Sequence, residues 1–191
     1  MAKDTRDSIV SAFISLAKQN PQRSSFTMSE IARQAGISRQ AIYQKHFQNY
    51  DDIIKYIHEQ TDQRIFQVFN NSCLRREENP IECFANFAIP LVYENRNIIR
   101  TLFVTQADLG WKEFLRDTYS KWILKNVHYN KEFDFSEDDM TYVVANMIIT
   151  FIEAWIRKEN PTPPEKFKKT FLLLTTISLR DYMILQEKDS E

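Results

Sequence analysis

The stretch from Thr27 to Phe47, TMSEIARQAGISRQAIYQKHF, decides how the chain is read. It divides into a helix, a turn containing glycine and a second helix. Thr27 followed three residues later by Glu30 is a capping-box pattern, so the first of these helices starts there. The Thr27 hydroxyl and the unpaired backbone N–H groups behind it also suit a phosphate oxygen. Ala32 and Ala35 leave room for a crossing helix, and Gly36, one of only two glycines in the chain, stands where a helix ends with φ > 0. Ser38 offers an oxygen to cap the second helix, which turns Ala41, Ile42 and Phe47 inward and leaves Arg39, Gln40, Tyr43, Gln44 and Lys45 outside. That outer face suits DNA.

Outward from this stretch, composition points the same way. Two glycines and six prolines in 191 residues are too few for a protein built of tight turns, so an all-α chain is expected. The net charge of −1 is unevenly spread: residues 1–50 hold seven Lys/Arg against three acids, and the rest hold 18 against 23. A small basic head on a larger acidic body is the asymmetry expected when one end meets a polyanion. Cys73 and Cys83 read as free thiols in a reducing compartment. Ile9 to Ala17 is too short for a signal peptide, and the apolar run Met147 to Ile156 is interrupted by Glu153. A cytoplasmic location is the expectation.

A first helix is expected over about Thr5 to Gln19, from the spacing of Ile9, Val10, Phe13, Ile14 and Ala17, and it stops at Asn20-Pro21. Asn49, Asp51 and Asp52 open a long helix to about Phe69 or Ser72 that joins head to body. After a polar loop, a helix from Ile81 to about Glu94 should kink at Pro90. A short helix over Arg96 to Thr105 and another from Trp111 to about Val127 follow. Ser136 caps a long helix ending near Lys158, and Thr162-Pro163-Pro164-Glu165 opens the last, which carries apolar residues through Leu179, Tyr182 and Ile184. FLLLTTISL is apolar nearly all round, which a partner subunit would explain. The organisation expected is a head over residues 1–50 and a body over 51–191, with 51–72 as the connecting helix.

Over residues 5 to 60 the chain resembles the DNA-binding domain of the tetracycline-repressor (TetR) family of transcription regulators. The quoted stretch carries the resemblance, with Asp51-Asp52-Ile53-Ile54 where the family opens its fourth helix, and YENRNIIRTLF is similar to a segment of one family subgroup. The resemblance implies a three-helix helix-turn-helix head, a larger helical-bundle body that binds a ligand, and a homodimer held by the last two helices. It places Thr27, Ser38, Tyr43, Lys45 and His46 at backbone-contact positions, and Arg39 and Gln40 at base-reading positions. Arg can take guanine O6 and N7, and Gln adenine N6 and N7. Two departures stand out: Tyr43-Gln44-Lys45-His46-Phe47 holds one residue more than the family spacing, and Tyr50 replaces a common lysine.

The expected function is therefore a sequence-specific, cytoplasmic, homodimeric transcriptional repressor. It would bind a near-palindromic double-stranded operator and be released by a small apolar or aromatic effector. The alternative is a related co-regulator or activator that works through protein contacts. His58 and His128 are isolated and offer no metal site, no residues support an enzyme, and no cofactor is expected. Phe84, Phe87, Phe103, Trp111, Phe114, Tyr119 and Trp122 fit either a plain core or the lining of a ligand cavity; which residues touch a ligand stays open.

Overall fold

The computed structural model describes residues 5–45, 47–68, 71, 79–129, 134–178 and 181, and these form helices without a strand. Helix α1 (Thr5–Gln19) buries Ile9, Phe13 and Ala17 completely and packs over α2 (Met28–Ala35). The expected capping box is formed: Glu30 N–H donates to the Thr27 hydroxyl, and the Glu30 carboxylate accepts from Thr27 N–H at 2.8 Å. Gly36 ends α2 at φ 69°, and Ile37 N–H closes back on Ala32 O at 3.1 Å. This left-handed cap requires glycine for its backbone, since a Cβ there would meet open space.

Helix α3 (Arg39–Lys45) starts with Ala41 N–H on Ser38 Oγ at 3.1 Å. Its end absorbs the additional residue between Tyr43 and Phe47. Phe47 N–H reaches Ile42 O, five residues back, at 3.2 Å, and Gln48 Nε2 donates to Tyr43 O at 3.0 Å. The bulge keeps Phe47 in the core, so the insertion changes the exit of α3 and not its buried face.

Helix α4 (Tyr50–Val68) is opened by Asn49, whose Oδ1 accepts from Asp52 N–H at 2.9 Å, and it buries Ile53, Ile57 and Ile65. Phe69 and Ser72, where its end was expected, and the loop from Arg75 lie outside the described residues. Asn79 caps α5 (Pro80–Cys83), which runs through a π-helical turn, Phe84–Ala88, into α6 (Ile89–Glu94). The kink expected at Pro90 takes this form. Proline has no N–H for a helical bond, and just before it Ile89 N–H bonds Phe84 O instead, widening the turn.

Helices α7 (Arg96–Val104), α8 (Trp111–Asn126), α9 (Glu137–Ile156) and α10 (Pro164–Thr176) complete the body. Ser136 caps α9 through Asp139 N–H, and Arg100 Nε bonds the Arg157 and Lys158 carbonyls just beyond its end. Lys112 and Glu153 tie α8 to α9 at 2.7 Å. By length and composition alone α9 is apolar enough to cross a membrane, contrary to the expectation from Glu153; in the fold it packs against α8.

Three further expectations are corrected. The residue flanking α10 is Pro163, not Thr162; the Thr162 carbonyl is instead taken by Trp155 Nε1 at 2.9 Å. Helix α10 stops at Thr176, where Thr175 and Thr176 turn their hydroxyls back onto carbonyls of the preceding turn, and Ile177 is extended. Leu179, Tyr182 and Ile184 lie outside the described residues. Finally, Cys83 is not a free thiol but disulfide-bonded and fully buried. Pairing is set by tertiary proximity, which residue spacing does not reveal. Cys73 lies outside the described residues.

Candidate nucleic-acid interface

On α3, Arg39, Gln40 and Gln44 are exposed, Tyr43 is half-buried, and Ile42 lies completely buried beneath them. One residue type therefore alternates with the other as a short amphipathic helix demands. The Arg39 guanidinium donates to the Tyr43 hydroxyl at 3.2 Å, with its carbon 5.6 Å from the ring centroid. Arg39 and Tyr43 thus stand one helical turn apart as a pair in mutual contact. Ser38 is exposed at the helix start with its oxygen already accepting from Ala41 N–H. Lys45 is the last residue of α3, and His46 lies outside the described residues.

Thr27, at the start of α2, is exposed but committed. Its hydroxyl donates to Glu30 Oε2 at 2.9 Å while accepting from Glu30 N–H. Arg23 grips the same carboxylate with two bonds, 2.8 and 3.1 Å, and its guanidinium stacks 4.5 Å over Phe26. The bonds from Arg23 and from the Thr27 backbone and hydroxyl hold the Glu30 carboxyl at about 2, far below its usual 4.5. Sequence reasoning found Glu30 and missed Arg23. The available signal was a bidentate-capable cation four residues ahead of the cap.

Of the site residues called from the sequence, Thr27 stands at the start of α2, Ser38 immediately before α3, and Arg39, Gln40 and Tyr43 on α3. One segment of the body, residues 105–110 between α7 and α8, is bonded to the head. Gln106 N–H donates to Pro21 O at 2.7 Å, and its side chain donates to Gln22 Oε1 at 2.9 Å. The Tyr50 hydroxyl donates to the Ala107 carbonyl, and Asp108 Oδ2 lies 2.5 Å from His58 Nε2 on α4. Burial raises the Tyr50 phenol above its usual range, and the Asp108 charge adds to this, so Tyr50 is held as a neutral donor. His58 in turn lies stacked at 3.9 Å on Phe114.

Directly after this segment, α8 begins with Trp111, which lines a cavity of about 400 Å³ inside the body. Ile65, Phe84, Phe103, Tyr119 and Trp122 share its wall, so most of the aromatic residues singled out in the sequence surround one space. Phe87 and Phe114 are not among its lining residues. Among the described residues no group of three or more metal-ligand side chains is present.

No protein-family model and no curated protein matches the chain. Solved structures do. NalD of Pseudomonas aeruginosa, the secondary repressor of the MexAB-OprM multidrug efflux pump, aligns over 89% of this chain and 94% of its own with TM-score 0.60 and 16% identity. The dihydroxyacetone kinase operon activator DhaS aligns over 90% and 93%, with TM-score 0.56 and 20% identity. A TetR transcriptional regulator from Streptococcus agalactiae aligns over 89% and 92%, again with TM-score 0.56 and 20% identity. At such identities the shared property is the path of the chain, and on that ground this protein has the all-α fold of the TetR-family regulators, helix-turn-helix head and helical body together.

Proposed function

We propose that this protein is a sequence-specific DNA-binding transcriptional regulator, a cytoplasmic homodimeric repressor released from its operator by a small ligand. The observation that carries the reading is α3, which turns Arg39, Gln40 and Gln44 to solvent while anchoring itself through fully buried Ile42. In this reading residues 1–50 form the DNA-binding unit. Arg39 and Gln40 read bases, and Thr27, Ser38, Tyr43, Lys45 and His46 meet the backbone. Residues 51–191 bind the ligand and the second subunit, with α4 as the connection.

Support for the dimer comes from the outer faces of α9 and α10. Val143, Thr150 and Ala154 on α9 and Leu173 on α10 are exposed and uncharged, with Leu173 56% accessible. Pairing these helices across a two-fold axis would place the two α3 helices in successive major grooves, one turn of DNA or ~34–36 Å apart. Support for ligand control comes from the 105–110 segment, which is bonded to the head on one side and continues into cavity-lining Trp111 on the other. A ligand that favours another position of Trp111 would change the head spacing through Tyr50, His58 and Pro21. The relatives of known fold include a repressor and an operon activator, and release by a cavity ligand favours repression here.

The test is competition binding of the purified chain to genomic fragments at physiological salt. Retention of a small set of fragments sharing an inverted repeat is the expected result. Affinity indifferent to sequence would overturn the reading.

A further inference from the structure

The cavity of the body is long, and its two ends differ in chemistry. Along α8 its wall holds Trp111, Leu115, Tyr119 and Ile123, each four residues after the last, a run of about 18 Å at the helical rise per residue. Val127, His128 and Tyr129 carry the wall past the end of that helix. Helix α9 runs antiparallel beside it, since Lys112 meets Glu153 at 2.7 Å and the Tyr129 hydroxyl lies 3.0 Å from Thr141 Oγ. At the inner end Trp111 is buried, with Leu115 one turn away, the Phe103 ring 6.0 Å off between centroids, and Ile152 on the turn of α9 that Lys112 reaches. At the other end Tyr129 is half-buried and His128 is exposed, so the cavity opens beside His128.

This layout sorts the parts of a ligand. Thr61 and Thr175, hydroxyls on the wall, already donate to carbonyls of their own helices at 2.8 and 3.0 Å. A charged or strongly hydrated group carried to the Trp111 end would lose its water among apolar side chains. At the mouth it keeps that water, and the His128 imidazole, which makes no hydrogen bond or ion pair with another described residue, has an N–H to give it. We propose that the cavity takes a long unbranched chain ending in one oxygen head, a carboxylate or a hydroxyl, which His128 holds at the mouth while the chain lies along α8 toward Trp111. With carbon–carbon bonds of about 1.5 Å, an extended chain of about 14 carbons fills that run. Its tail would then stand beside the residue that follows the 105–110 segment. This deepens the ligand-controlled reading above and rests on it for its regulatory meaning, but not for the binding itself.

The experiment uses the full chain without DNA, so its outcome is independent of operator binding. Alkanoates from octanoate to octadecanoate are titrated by calorimetry below their micelle concentrations. Affinity for the unaltered protein should rise about fourfold with each added methylene and level off near about 14 carbons. Leu115→Phe, which fills the inner end, should lower that limit by about two carbons or more and leave octanoate within about twofold. His128→Ala should weaken decanoate and decanol each by about threefold or more without moving the limit. Direction is read by fluorescence in Trp122→Phe, which keeps Trp111 on the wall and Trp155 away from it. Dodecanoate brominated at its last carbon should quench the emission more than dodecanoate brominated beside the head. Affinity indifferent to chain length, an unmoved limit in a Leu115→Phe protein that binds octanoate normally, no loss of either head group's affinity in His128→Ala, or equal or stronger quenching by bromine beside the head would each overturn the assignment.

Discussion

The aromatic rings of the head and of the body differ in what they leave between them. In the head, Phe13 meets Phe26 and Tyr50 edge-on, with centroids 6.3 and 5.7 Å apart, and Phe47 meets Tyr56 at 5.4 Å. Ring fills the space beside ring. In the body, Trp155 stacks on Phe167 at 4.0 Å, but Phe103, Trp111, Tyr119 and Trp122 stand around an opening. A close-packed unit fixes the shape of what it presents, whereas a unit with an unfilled interior can change shape when something enters. Under the proposed function, the contrast would suit a rigid reader coupled to a deformable sensor.

The most damaging way to break the contrast is to open a hole in the head. Phe13→Ala removes a fully buried ring and should cost ~3–5 kcal/mol in chemical denaturation. A loss near zero would mean that the head is not close-packed. Next, Arg39→Ala should leave folding intact, lower operator affinity by ~1–3 kcal/mol and relax the preference at one base position, measured against operator variants. Equal weakening on every variant would make Arg39 a backbone anchor. The link between the two units is probed by Tyr50→Phe, which takes the donor away from the Ala107 carbonyl. About 1 kcal/mol of stability should be lost. The ligand-induced change in operator affinity should shrink, while affinity without ligand changes little.

The smallest effect is expected from acid, and it falls on the head. The Glu30 carboxyl is held at about 2 when folded against an ordinary 4.5, so its contribution is fully present above about pH 4.5 and is lost as pH falls from there toward about 2. In that window Glu30→Gln should flatten the pH dependence of head unfolding followed by hydrogen exchange. The group is exposed, so the slope should be modest.

Much of the head was legible because its determinants are local. A capping box spans three residues, a left-handed cap needs one glycine, and the inward stripe of α1 repeats every three or four positions; Thr27, Glu30, Gly36, Ile9 and Phe13 all stand as their spacing implies. The body was legible as helices and not as a site. Nothing in the spacing of Phe103, Trp111 and Trp122 distinguishes a packed core from the rim of a cavity, since an aromatic residue on an inward stripe satisfies both. The disulfide of Cys83 and the grip of residues 105–110 on the head likewise join segments through contacts made only after folding.

The amino-acid order by itself determined where most helices begin, which face of each is buried and which side chains α3 offers outward, because capping and periodicity act over a few residues. Tertiary structure alone decided that the aromatic residues enclose space, that the Trp111 N–H has no partner and that Tyr50 and His58 meet the segment before it. Those outcomes depend on groups far apart in the chain, whose distances are set only when the helices pack.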